Sequence, residues 1–135
     1  LLDRPPPAPA TRSAPRPVFV TLERDGTVLG CRGALVCRRA SLEEEIVDAA
    51  RAAALFDPRH GRRRAADLPR LRVPVTVIDR REPLPDPDSL RPEDGLVLES
   101  GGRTGVVLPW EGRDPRRRRL WAARKAAVSP DPPAR

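Results

Sequence analysis

The residues best able to do chemistry near neutral pH are scarce in this 135-residue chain: one histidine, His60, and two cysteines, Cys31 and Cys37. Cys31 stands in Gly30-Cys31-Arg32-Gly33. Glycine has no Cβ, so another backbone, a ligand or a helix can come close to the strand that carries this thiol. The thiolate is the reactive form of cysteine, and exposed amides or the Arg32 guanidinium beside it favour that form. A nucleophilic cysteine also needs a base. The sequence offers Asp57 and His60, which only the fold can bring to Cys31. A second reading is favoured on the residues alone, since no partner base is visible beside the thiol: cysteine is among the most buried residue types, and flanking glycines serve tight sheet-to-helix packing. With His60, Cys31 and Cys37 as the soft ligands, a zinc site lacks its fourth classical donor. No metal site is expected, and no cofactor is predicted.

The elements that must position these residues follow from local patterning. Residues 18–23 and 27–32 are β-formers separated by Arg24-Asp25-Gly26. An Asp-Gly pair between two such runs predicts a hairpin, because a type I′ turn needs positive φ at both central residues. Cys31 then falls at the end of the second strand. Ser41 with Glu44 reads as a capping box, and Glu43, Glu44 and Glu45 complement the positive helix end. Leu42, Ile46, Ala49, Ala50, Ala53 and Ala54 recur at helical spacing, which predicts an amphipathic helix over 42–55, closed by Asp57-Pro58.

Residues 59–70 read as a basic loop with a short helical turn near 65–68. Residues 71–78 alternate so that Val73, Val75 and Val77 point inward in a strand, and Pro74 makes it an edge or bulged strand. After a loop over 83–92, a second hairpin is expected from 96–99 and 104–108 across Gly101-Gly102. Pro109-Trp110-Glu111-Gly112 closes it. Asp114 as N-cap and Pro115 at the first position predict a helix running to about Val128, with Leu120, Trp121, Arg124 and Val128 sharing a spacing that brings Trp121 to or near the core. Arg116 to Arg119 ring its first turn, against the helix dipole.

Composition sets bounds on this plan. The chain suits one domain. It carries 18 prolines and a net charge of +7, and lysine occurs once, at Lys125, so the other basic residues are all arginine. Residues 1–17 read as a proline-rich leader or linker, 18–128 as the folded domain and 129–135 as a disordered tail. Two cysteines make no disulfide framework, and no secretory or transmembrane run is present in the sequence. A cytoplasmic protein with reduced thiols is expected, without a membrane partner.

Read in order, the pieces resemble the AMMECR domain family. The matching segments are Phe19-Val20-Thr21-Leu22 with Asp25-Gly26, Gly30-Cys31 with Gly33, residues 42–54 with Asp57-Pro58-Arg59, Asp94-Gly95-Leu96-Val97-Leu98, Gly101-Gly102-Arg103 with Gly105, Leu108-Pro109-Trp110-Glu111-Gly112 and Arg124-Lys125-Ala126. The family motif usually reads Leu-Arg-Gly-Cys-Ile-Gly, whereas here Leu29 precedes Gly30 and Arg32 follows Cys31. His60 stands where the family usually has Phe, Ala127 where it has Gly, and an N-terminal helix usual in the family is missing.

The resemblance implies an α+β fold: an antiparallel sheet built from hairpins, two or three packed helices, and the central motif near a cleft. The candidate binding set is then Gly30, Arg32, Gly33, Asp57, Arg59 and His60, with Cys31 the catalytic candidate. It also implies association with a Memo-like protein and a radical SAM protein, making this domain one component of a multi-protein redox or modification system. Two alternatives are a Cys31-dependent enzyme and a nucleic-acid-binding protein using Arg62 to Arg64 and Arg116 to Arg119. The second is weakened by the shortage of aromatics, two Trp and two Phe.

Overall fold

Asp25 and Gly26 sit at φ 51° and 80°, the left-handed pair that a two-residue hairpin turn requires. They join β1 (Val18–Arg24) to β2 (Thr27–Gly33). The computed structural model describes residues 7–8, 11–58, 60–109 and 115–126. The chain divides into two compact units, Leu1–Arg81 and Glu82–Arg135, at the start of the proline-rich loop. Antiparallel hairpins with helices packed on them make the fold α+β.

In the first unit β1 is the central strand, between β2 and a third strand, β3 (Val75–Val77). Helix α1 (Leu42–Leu55) begins as its sequence predicts, with the Ser41 hydroxyl accepting from the Glu44 amide at 3.2 Å. Ala49 and Ala53 of α1 pack on Val18, Val20 and Leu22 of β1, and Leu42, Ile46, Ala50 and Ala54 close the rim. Burying a valine as Val20 is buried is worth about 1.5–3 kcal/mol. A short 3-10 turn, Ala65–Asp67, lies where the sequence placed one.

Residues 11–17 are tied to this unit. Ser13 donates through its amide and hydroxyl to the two Glu43 oxygens, at 2.7 and 2.6 Å, and its carbonyl accepts from the Leu42 amide.

The inward reading of Val73, Val75 and Val77 is corrected: they are 48%, 40% and 38% exposed. Val75 and Val77 pair with Val20 and Val18, so they share the core face. Helix α1, however, packs on β1 and β2 and does not cover the edge strand.

In the second unit β4 (Leu96–Ser100) and β5 (Arg103–Val107) pair across Gly101 and Gly102, at φ 56° and 79°. Helix α2 (Pro115–Ala126) packs on both strands. The core is Leu90, Val107, Leu108, Ala122 and Ala123. This corrects the expected buried face. Leu120 and Arg124 are exposed and Trp121 is half-buried, because alanines at 122 and 123 let the helix backbone come close to the sheet. Asp114 and Val128 lie outside the described residues.

Arg118 is the other surprise, being fully buried. Its guanidinium donates to the carbonyls of Arg91 at 3.0 Å and Pro109 at 2.9 Å, and to those of Pro92 and Asp94. Expected on the surface of a basic first turn, it instead organises the loop before β4.

Candidate functional site

The position of Cys31 depends on a bulge. With Asp25-Gly26 as the turn, uninterrupted pairing would set Cys31 opposite Val20, on the core face. The observed ladder runs Arg24↔Thr27 and Glu23↔Val28, then skips Leu29 and resumes at Leu22↔Gly30 and Thr21↔Cys31. One extra residue flips every later side chain to the other face. Leu29 stays packed against the core. Gly30 then faces α1, where a Cβ would lie 2.3 Å from the Ala53 carbonyl oxygen, so only glycine fits without displacing backbone. Cys31 turns away from α1 and lies across from buried Thr21, whose hydroxyl donates to Sγ at 3.5 Å.

Among the described residues β2 is an edge strand, so its alternate amides point away from β1. The Cys31 amide donates to Asp57 Oδ2 at 2.9 Å. Asp57 follows Phe56, the C-cap of α1, and its carbonyl accepts from the His60 and Gly61 amides at 3.3 and 3.0 Å. That turn, closed by Gly61 at φ 73°, brings His60 Nδ1 within 2.9 Å of the same Oδ2. The Asp57 side chain is 0% exposed and that of His60 is 29%. Arg63 secures the loop, its amide donating to the Ala54 carbonyl at 2.5 Å and its Nη2 to the His60 carbonyl at 2.6 Å.

The chemistry follows from donor and acceptor roles. An ionised carboxylate can only accept, so a hydrogen bond between it and His60 Nδ1 needs the proton on Nδ1; in that tautomer of a neutral imidazole Nε2 is the acceptor. A carboxylate orienting an imidazole in this way is half of a nucleophile-activating arrangement. The Cys31 amide, by contrast, is engaged by Asp57 and is not open to stabilise a thiolate.

Of the residues singled out in the sequence, the structure brings together Cys31, Asp57 and His60, with Gly30 as the point of close helix approach. Arg32 is exposed, and strand alternation puts it on the face opposite Cys31. Gly33 is tight against β1 instead of α1: a Cβ there would meet the Val18 oxygen at 2.3 Å and the Phe19 ring. Arg59 lies outside the described residues. Thr21 is the member that sequence reasoning missed. Its signal is Gly30, since a glycine inside a strand often marks a bulge.

Among the described residues, no three His, Cys, Asp or Glu side chains are arranged to hold a metal ion. A cavity of about 400 Å³ lies elsewhere in this unit, against the first half of α1. Arg12, Glu44, Arg39 and Asp48 line it, already paired at 3.2 and 2.9 Å, and no thiol or imidazole reaches it.

Hairpins closed by helices, with the Cys31 backbone held by a carboxylate that also meets the His60 ring, define an α+β domain with a candidate site at one sheet edge. The family profile described as AMMECR1 matches residues 2–133, and the chain belongs to that family. It is 40% identical over 128 residues to a protein of Aeropyrum pernix, covering 84% of this chain and 55% of that one. A Thermotoga maritima protein is 35% identical over 116 residues, covering 84% and 67%. A Methanocella arvoryzae protein is 37% identical over 108 residues, covering 75% and 54%. The crystal structure of an uncharacterised protein from Pyrococcus horikoshii superposes with a TM-score of 0.74 at 28% identity, covering 93% of this chain and 69% of that one. The chain thus spans 54% to 69% of the length of these four relatives. Among the described residues, no helix is long and apolar enough to cross a membrane.

Proposed function

We propose that this domain is a binding component of a multi-protein redox or modification system, acting through the Cys31 thiol and the His60 ring. The supporting observation is the buried Asp57 carboxylate, one oxygen of which joins the Cys31 backbone to the His60 ring. Burying a carboxylate is costly unless it is well bonded, and here it sets the orientation of a partly exposed imidazole. The partner classes are those the family resemblance implies, a Memo-like protein and a radical SAM protein. Co-expression with both should yield a complex that His60→Ala weakens while leaving the melting temperature close to that of the parent. No complex with either protein would count against the reading.

A second reading, a Cys31-dependent enzyme, is favoured by the Asp57–His60 pair, because the sequence alone offered no oriented base. Iodoacetamide separates the two. The enzyme reading expects labelling of Cys31 at pH 7 to slow about tenfold in His60→Ala. Labelling that rises only near the ordinary thiol value of about 8.5 and ignores His60 removes it. Nucleic-acid binding has less behind it, since Arg118 and Arg63 of the two arginine runs are engaged inside the fold.

A further inference from the structure

The edge opposite Cys31 carries a second feature. Arg72 and Glu23 exchange both backbone bonds, at 2.8 and 3.0 Å, the Thr21 amide donates to the Pro74 carbonyl at 3.0 Å, and the Ile78 amide to the Pro17 carbonyl at 2.9 Å. Phe19 pairs with Thr76 in the same register. Residues 72, 74, 76 and 78 therefore face β1. In an antiparallel pair alternate residues turn both backbone groups to one side, so Val73, Val75 and Val77 turn theirs outward. Pro74 occupies an inward position, and its missing N–H interrupts the β1 ladder without touching the outer row. β3 is the last strand of its sheet. Among the described residues, the outer side of residues 73–77 thus presents the backbone donors and acceptors of Val73, Val75 and Val77, three partly exposed valines of which the last two lie in β3. None of the outward positions holds the charge or proline that usually protects an edge.

We propose that this edge docks an extended segment of a partner protein by strand addition, with aliphatic alternate residues and acidic flanks. Charge decides the occupant. Arg70 and Arg72 precede the valines, Arg80 and Arg81 follow them, and the chain carries +7; Arg72 is paired with Glu23 at 3.2 Å and Asp79 with Arg16 at 2.9 Å, so cations outnumber carboxylates around the strip. A second copy pairing all three valines would centre on Val75 and set Arg70 against Arg80 of the copy, and like charges opposed across strands destabilise. An acidic strand meets opposite charge at both ends, while its backbone supplies affinity and its aliphatic side chains continue the valine strip. This docking makes no use of Cys31, Asp57 or His60, so it stands or falls apart from the preceding proposal.

The test uses a fluorescent, end-capped peptide of alternating valine and threonine with two glutamates at each end, and a twin with lysines in their place. Anisotropy titration of the 135-residue chain should show binding of the glutamate peptide, with the lysine twin at least about tenfold weaker. Val75→Lys and Val77→Lys each change a side chain that is already partly exposed. Each should weaken binding about tenfold while thermal melting shows the fold intact. Equal binding of the two peptides, no binding, or binding indifferent to both variants overturns the proposal. A dimer in sedimentation that Val75→Lys dissolves would give the edge to a second copy and overturn it as well.

Discussion

The two units solve one problem with opposite charges. Each must fix a loop whose backbone groups find no partner in a sheet. In the first unit carboxylates do this by accepting from amides: Asp57 from Cys31, and buried Glu45 from Arg38 and from Arg39 at 2.5 Å. In the second a guanidinium does it by donating to four carbonyls. The consequence is chemical. Arg118 is fully buried and its two terminal nitrogens donate to backbone carbonyls, which is a structural task. Asp57 meets both an amide and a partly exposed histidine, so the group that closes the sheet edge also aims a side chain at solvent.

The contrast can be broken at its most buried point. Arg118→Leu leaves four backbone carbonyls without their donor and removes a buried side chain, and should cost about 4 kcal/mol. Hydrogen exchange should show protection lost first from β4, β5 and α2, with β1 and α1 less affected. Arg118→Lys should recover only part, since an ammonium lacks the planar fork. Equal loss of protection in both units would show that Arg118 does not act locally.

Gly30→Val comes next, at about 3 kcal/mol, because its Cβ meets a helix carbonyl and not a movable side chain. A chemical melt near that of the parent would remove the close helix approach from the account of the site.

The smallest expected effect lies at residues 11–17. The Ser13 hydroxyl, and then its amide, hold the Glu43 carboxyl below its ordinary 4.5. A carboxyl lowered in the folded state adds stability that is complete above pH 4.5 and lost as pH falls below it through the lowered value. Residues 11–17 should therefore become sensitive to protease below pH 4.5 before the core melts, and Glu43→Gln should show the same looseness at neutral pH. Protection that is independent of pH would show that Glu43 does not hold this segment.

Much of this was legible in the sequence because it was local. Asp25-Gly26, the Ser41 cap, the alanine face of α1 and the Gly101-Gly102 turn each specify structure within a few residues. What failed to show was non-local or depended on a count of one. The bulge at Leu29 shifts the register by a single residue, and that shift moves Cys31 from opposite Val20 to opposite Thr21. The valines of β3 follow the predicted alternation on the core face, but only the lateral position of α1 decides that they stay uncovered. Arg118 looked like one of four surface arginines, and nothing in Arg116 to Arg119 reveals which guanidinium meets the carbonyls of a distant loop. Asp57 and His60 were named as candidates without any means of seeing that one oxygen would join both to the Cys31 strand.

The central claim is that Asp57 holds the Cys31 backbone and the His60 ring together, and exchange of the Cys31 amide tests it most directly. In the parent that amide should be protected although it lies on an edge strand. In Asp57→Ala it should exchange at a rate approaching that of an open edge amide, while the Val20 and Leu22 amides of the central strand keep their protection. A Cys31 amide equally protected in parent and variant would contradict the account.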